Sequence, residues 1–154
     1  MNGAGRGRGA AVVALAGLAL AAGRVGAETP ASRAELDYVL SCQGCHGVDG
    51  RGAPHKVPAL KESLPKLMRF ADGRDFVLRV PGAANSPLSD AALADVLNWL
   101  ALRFRDADSP ADLPQFSAAD VTGARHRPLV GVHRTRRELA AQMTAAGLAS
   151  PEDY

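Results

Sequence analysis

The only two cysteines of the chain, Cys42 and Cys45, stand three residues apart, and His46 follows at once. The run Cys42-Gln43-Gly44-Cys45-His46 is the pattern C-x-x-C-H, the signature for covalent attachment of haem c. The spacing has a physical reason. Two thiols on one helical turn can add across the two vinyl groups of a haem, and the adjacent histidine then lies beneath the iron as proximal ligand. The expected cofactor is therefore one haem c, bound through Cys42 and Cys45, with His46 on the metal. Two other chemistries use paired cysteines. A dithiol redox motif follows a strand and opens a long helix within a βαβ unit, whereas here a helical pattern leads into the motif and a glycine-rich loop leaves it. A zinc site needs a second ligand pair at finger spacing, and none is present.

The N-terminus bears on which of these applies. Arg6 and Arg8 precede an apolar run from Ala10 to Ala22, and Val25-Gly26-Ala27 supplies small residues before Glu28. That order is a secretory signal peptide over residues 1–27. The apolar run is shorter than the roughly 20 residues of a membrane span, so no stable span is expected after cleavage. The rival reading is an uncleaved N-terminal anchor. Arg6 and Arg8 are separated by Gly7, so there is no twin-arginine pair. The expected location is periplasmic or otherwise extracytoplasmic, where a cysteine pair oxidises to a disulfide unless another group claims both sulfurs. The leader carries three of the 18 basic residues and none of the 16 acidic ones, leaving the remainder near neutral at −1. No basic stripe interleaved with aromatics survives, which excludes a nucleic-acid partner.

The rest reads as an all-α chain. Ser32 with Glu35 forms a capping box for a helix over Thr29 to Ser41, with Leu36, Val39 and Leu40 at helical spacing. Gly47 to Pro58 is loop, rich in glycine and proline. A short helix is expected over Ser63 to Phe70, with Pro65 in its first turn, and another over Gly73 to Arg79, stopping before Pro81. Pro81 to Leu88 is a second loop. Ser89 caps the strongest helix, whose face is marked by Leu93, Val96, Leu97, Leu100 and Phe104. Beyond Arg105 the composition changes to a polar connector and two further helices, Ser117 to Arg125 and about His133 to Ala146, the latter ended by Gly147. This divides the chain into a core over 28–105 and a helical C-terminal extension over 106–154, either wrapping that core or serving as a docking surface.

Over Ala31 to Phe104 the chain resembles the class I cytochrome c family, the small bacterial monohaem cytochromes. The resemblance is carried by the helix before CQGCH, the loop with Val57-Pro58-Ala59-Leu60, the short helices and the final helix with Trp99. It implies a bundle of short helices around one covalently attached haem. It also implies that the Pro58 carbonyl accepts a hydrogen bond from His46, that Leu60 packs on the haem face, and that Trp99 packs against the first helix. The family's distal methionine usually precedes the last helix, where this chain has Val80-Pro81. Met68 is then the first choice for the sixth ligand, though as part of an apolar stripe it equally fits as core. His55, Met143, His126 and His133 are the other candidates, and the sixth position can also be empty.

These features imply a single-electron carrier, not an enzyme, between redox proteins such as a periplasmic dehydrogenase, an oxidase or another cytochrome. An open sixth position implies instead a haem protein that binds a small ligand, as a sensor or peroxidase. The third reading is a haem subunit of a larger complex, with the basic middle of the extension (Arg125, Arg127, Arg134, Arg136, Arg137) and Leu129, Val130 and Val132 as its assembly element. Lys56, Lys61, Lys66, Arg69 and Arg74 follow the motif and either form an ordinary solvated surface, the reading favoured, or ring the haem edge and steer an acidic partner.

Overall fold

The computed structural model describes residues 29–107, 109 and 112–149. The expected signal peptide lies outside the described residues. Eight helices make up the described chain: α1 (Pro30–Ser41), α2 (Gln43–His46), α3 (Leu60–Leu67), α4 (Ala71–Arg79), α5 (Pro81–Ala84), α6 (Asp90–Arg103), α7 (Ala118–Arg125) and α8 (Val132–Ala145). Apart from an isolated bridge between Ala53 and Val57 there is no extended pairing among the described residues, which are all-α. No helix among the described residues is long and apolar enough to cross a membrane.

α6 organises the packing. Ser89 accepts from the Ala92 amide at 3.2 Å and caps it, and Leu93, Ala94, Val96, Leu97, Leu100 and Ala101 are buried. α1, α3 and α7 all lie against it. At the α1–α6 crossing the rings of Tyr38 and Trp99 are 5.9 Å apart and tilted by 46°, a favourable aromatic geometry. This is the contact between the first helix and the α6 aromatic that the resemblance implies.

Three sequence expectations are corrected. Thr29, not Ser32, caps α1: its hydroxyl oxygen accepts from the Ser32 amide at 3.2 Å. Ser32 instead sits inside the helix and donates to the Thr29 carbonyl, because Pro30 is well suited to the first helical position. α3 begins at Leu60, three residues early, so Pro65 lies inside it. The earlier start is held from outside, since the Leu60 and Lys61 amides both donate to the Gly50 carbonyl, at 2.7 and 3.1 Å. Pro81 to Ala84 closes a short helix rather than loop, again with proline at its first position.

The C-terminal segment shares the core of the preceding part. Leu113, Phe116, Val121, Ala124, Leu139, Met143 and Leu148 are buried in one cluster with the residues of α1, α3, α4 and α6. Polar clamps fasten it. Asn98 on α6 grips the backbone of Phe116, donating to its carbonyl at 2.9 Å and accepting from its amide at 2.8 Å. Arg125 reaches the carbonyls of Ala84, Ser86 and Leu88 and pairs with Asp90 at 2.7 Å. Arg127 pairs with Asp75, which also holds Arg79 at 2.5 Å. Arg74 donates to the carbonyls of Pro114 and Gln115 and lies over the Phe116 ring. Lys66 is buried, 3.4 Å from Asp106. Lys66 and Arg74 are thus structural rather than steering residues, Arg125 points inward, and Arg127 is held by Asp75 while staying exposed.

These clamps make the docking of α7 and α8 acid-sensitive. Hydrogen bonds from Thr122 and Arg125 hold the Asp90 carboxyl below the usual carboxylate range. At Asp75, burial pushes the other way, but the bonds from Arg79 and Arg127 outweigh it. A carboxyl with a depressed folded-state pKa contributes stability that is present above its unfolded value, about 3.9, and lost as pH falls through the folded one. Acidification below about pH 4 is therefore expected to release α7 and α8 before the α1–α6 pair, read as earlier loss of amide-exchange protection in α7 and α8 after correction for intrinsic rates.

Candidate functional site

Cys42 both ends α1 and opens α2. Its amide donates to the Tyr38 carbonyl at 2.9 Å, and its carbonyl accepts from the Cys45 and His46 amides at 3.2 and 3.0 Å. That one closed turn puts two thiols and an imidazole on the same short helix. Both cysteines are free, Cys42 half-buried against the core and Cys45 exposed. Gly47 ends the turn with φ 76°, a left-handed value that glycine takes without penalty. The buried Tyr38 hydroxyl donates to the Gly47 carbonyl and pins the exit of the turn to α1.

The loop that follows brings Pro58 back onto His46. The Gly52 amide donates to the His46 carbonyl at 2.8 Å, and Ala53 and Val57 exchange two backbone bonds at 3.0 and 2.8 Å. Gly50 is buried with φ 70°, and a side chain there would strike the Phe104 ring. Gly52, at φ 67°, leaves no room for one either: a β-carbon would meet the Val57 carbonyl oxygen and the Pro58 carbonyl. The result is a hydrogen bond of 3.0 Å between His46 Nδ1 and the Pro58 carbonyl oxygen. A carbonyl can only accept, so Nδ1 carries the proton and the lone pair of Nε2 is left to serve as a ligand.

The electrostatics agree with that assignment. Burial pushes the His46 imidazole below its ordinary range; the Pro58 bond opposes this and the Arg136 charge adds to it. The ring is thus kept neutral near pH 7, the state that ligates metals. The Cys42 thiol is pushed up, by burial first and then by Asp37 and Cys45. A redox-active dithiol has the opposite requirement, a sulfur with a lowered pKa. No group of three or more His, Cys, Asp or Glu among the described residues is arranged to hold a bare metal ion. The donor set fits a covalently held haem: two free thiols on one turn and a neutral imidazole whose second nitrogen is already fixed.

Cys42, Cys45, His46 and Pro58 are therefore brought together. Leu60, the first residue of α3, is half-buried against the core. Met68, which ends α3, is wholly enclosed in the apolar cluster, and so is Met143 on α8, whereas His55, His126 and His133 are exposed. Sequence reasoning missed two contributors. Tyr38 stands one turn before Cys42, and that spacing was the available signal. Arg136 precedes the buried Leu139 and Met143 by three and seven residues, which places it on the inner face of α8.

Comparison with protein-family models, with curated proteins and with solved structures found no match.

Gly52→Ala is expected to lose more than about 1 kcal/mol of stability, because alanine is strained at positive φ and its β-carbon displaces the Pro58 carbonyl. A denaturant titration reads the loss. The chemical shift of the His46 Nδ1 proton reports the weakened bond to Pro58.

Proposed function

We propose that this protein is a monohaem c-type cytochrome that carries single electrons between redox proteins outside the cytoplasm. The observation that carries the reading is the hydrogen bond from His46 to Pro58, made by the histidine of the C-x-x-C-H run. It fixes the ring orientation, strengthens the imidazole as a donor and leaves one nitrogen for iron, as partners behind a metal ligand do generally. Haem supplies a one-electron Fe(III)/Fe(II) couple, and the chain's residues determine how it is held. Cys42 and Cys45 hold it covalently, His46 supplies the proximal nitrogen, and Leu60 packs against its face. Two thioether bonds suit a small exported protein that must keep its cofactor without a large enclosing domain.

The partner is reached through the exposed side of the motif. Cys45 is exposed, and the flanking Leu40 and Val48 are apolar and exposed at 72% and 67%. A small apolar patch of this kind suits a weak, quickly released redox encounter. Lys56 and Lys61 are the lysines of the loop and of α3 that would steer an acidic partner. The sixth ligand assigned is Met68, whose thioether raises the potential of a haem iron.

Absorption spectra of the exported protein, oxidised and reduced, with and without carbon monoxide, test the assignment together with Met68→Ala. A low-spin reduced spectrum unmoved by carbon monoxide is expected, with a near-infrared sulfur-to-iron band that Met68→Ala removes. Retention of that band in Met68→Ala would transfer the ligand role to Met143. A high-spin spectrum that shifts with carbon monoxide contradicts the carrier and makes the protein a ligand-binding haem protein.

A further inference from the structure

α1 buries an unexpected face. Leu36, Val39 and Leu40, its apolar residues at helical spacing, are 42%, 45% and 72% exposed, while Ala34, Asp37 and Tyr38 are turned inward. Burying a tyrosine costs free energy unless its hydroxyl finds a partner. The partner is the carbonyl of Gly47, nine residues on and directly after His46. The ring is held from α6 by Trp99, at 5.9 Å, and the Arg103 guanidinium lies 5.2 Å from the Trp99 ring. Tyr38 therefore links α6 to the exit of the Cys42–His46 turn. Four bonds fix the histidine and the peptide after it. The His46 amide donates to the Cys42 carbonyl at 3.0 Å, and the His46 carbonyl accepts from the Gly52 amide at 2.8 Å. Nδ1 donates to the Pro58 carbonyl at 3.0 Å, and Tyr38 holds Gly47. Only the last of these is made by a side chain outside the motif. The Gly50 amide also reaches the Gly47 carbonyl, at a longer 3.4 Å. Burial, then Cys42 and Asp49, push the Tyr38 hydroxyl above its ordinary range and Arg103 opposes them, so it keeps the proton it donates.

We infer that Tyr38 is a positioning residue for the metal ligand: its hydroxyl sets the Gly47 peptide, and through it the angle at which the His46 imidazole meets the Pro58 carbonyl. The redox consequence rests on the haem reading above; the effect on the imidazole does not. Glycine at φ 76° has wide backbone freedom, so the peptide after His46 needs a hold from outside, and the hydroxyl supplies it. A firmly bonded Nδ1 makes Nε2 a stronger donor, and a stronger donor favours ferric over ferrous iron. Loosening that bond shifts the balance toward the reduced state. The α1–α6 crossing thereby reaches the site through one side chain.

The test compares the full-length exported protein as wild type, Tyr38→Phe and Trp99→Phe. Tyr38→Phe keeps the ring and removes the hydroxyl; Trp99→Phe disturbs the packing of that ring and keeps the hydroxyl. Helical circular dichroism checks the fold of each. Solvent exchange of the His46 Nδ1 proton is followed by NMR in the reduced, haem-loaded state. A titration with small-molecule mediators gives the ratio of reduced to oxidised protein at fixed ambient potential. Tyr38→Phe is expected to speed the exchange on the order of fivefold, the weight of one neutral hydrogen bond. It should raise the reduced-to-oxidised ratio about twofold, equivalent to about 18 mV for one electron. Trp99→Phe should leave both readings close to wild type. A folded Tyr38→Phe with unchanged exchange and ratio overturns the inference and leaves the haem reading intact. Equal changes in the two variants also overturn it, because packing alone then accounts for them. So does failure of Tyr38→Phe to fold, which makes the hydroxyl a requirement of folding. A wild-type protein that takes up no haem overturns the haem reading. The same Nδ1 exchange, measured on the haem-free chain with both thiols reduced, then decides the inference by the same comparison.

Discussion

The hydrogen bond between His46 Nδ1 and the Pro58 carbonyl closes a twelve-residue excursion, and most of the surrounding architecture serves to make that closure possible. Gly47 turns the chain out of α2, Gly50 lets it pass beneath Phe104, and Gly52 lets it lie against the Val57 and Pro58 carbonyls. Each needs a left-handed backbone, and the latter two have no space for a side chain. The Gly50 carbonyl then receives the first two amides of α3. The same loop thus orients an imidazole and starts the next helix, so a change in one is felt in the other.

A second constraint comes from the far end of the chain. α7 and α8 do not form a separate layer; they complete the core begun by α1, α3, α4 and α6. Their attachment uses arginines against backbone carbonyls and carboxylates, a geometry that the planar guanidinium fork supports better than lysine does. Arg125 gathers three carbonyls of the stretch before α6 together with Asp90. In the segment that sequence composition marked as a possible docking surface, Arg125 is turned to internal use, whereas Arg127, Arg134 and Arg137 stay exposed.

The helices were legible because their signals are local. Ser89 before a run of Leu93, Val96, Leu97 and Leu100 states both where α6 starts and which face it buries. The motif Cys42 to His46 was legible as chemistry, and Pro58 as its partner through the resemblance. What sequence could not convey were contacts between distant positions. The early start of α3 depends on Gly50, ten residues away, and no local pattern near Leu60 records it. The burial of Lys66 depends on Asp106, and the inward turn of Arg125 depends on carbonyls of residues 84 to 88. Charged residues in sequence look solvated by default, so it is these long-range partners that reversed their assignment.

The central claim is that Cys42 and Cys45 hold a haem rather than each other. Intact-mass measurement of the protein, exported from a cell that carries haem-attachment machinery and analysed after denaturation, tests it most directly. The account predicts a polypeptide heavier by one haem, the addition surviving denaturation and disappearing when both cysteines are replaced by serine. A polypeptide without haem, lighter than the reduced chain by two hydrogen atoms through a Cys42–Cys45 disulfide, would contradict it.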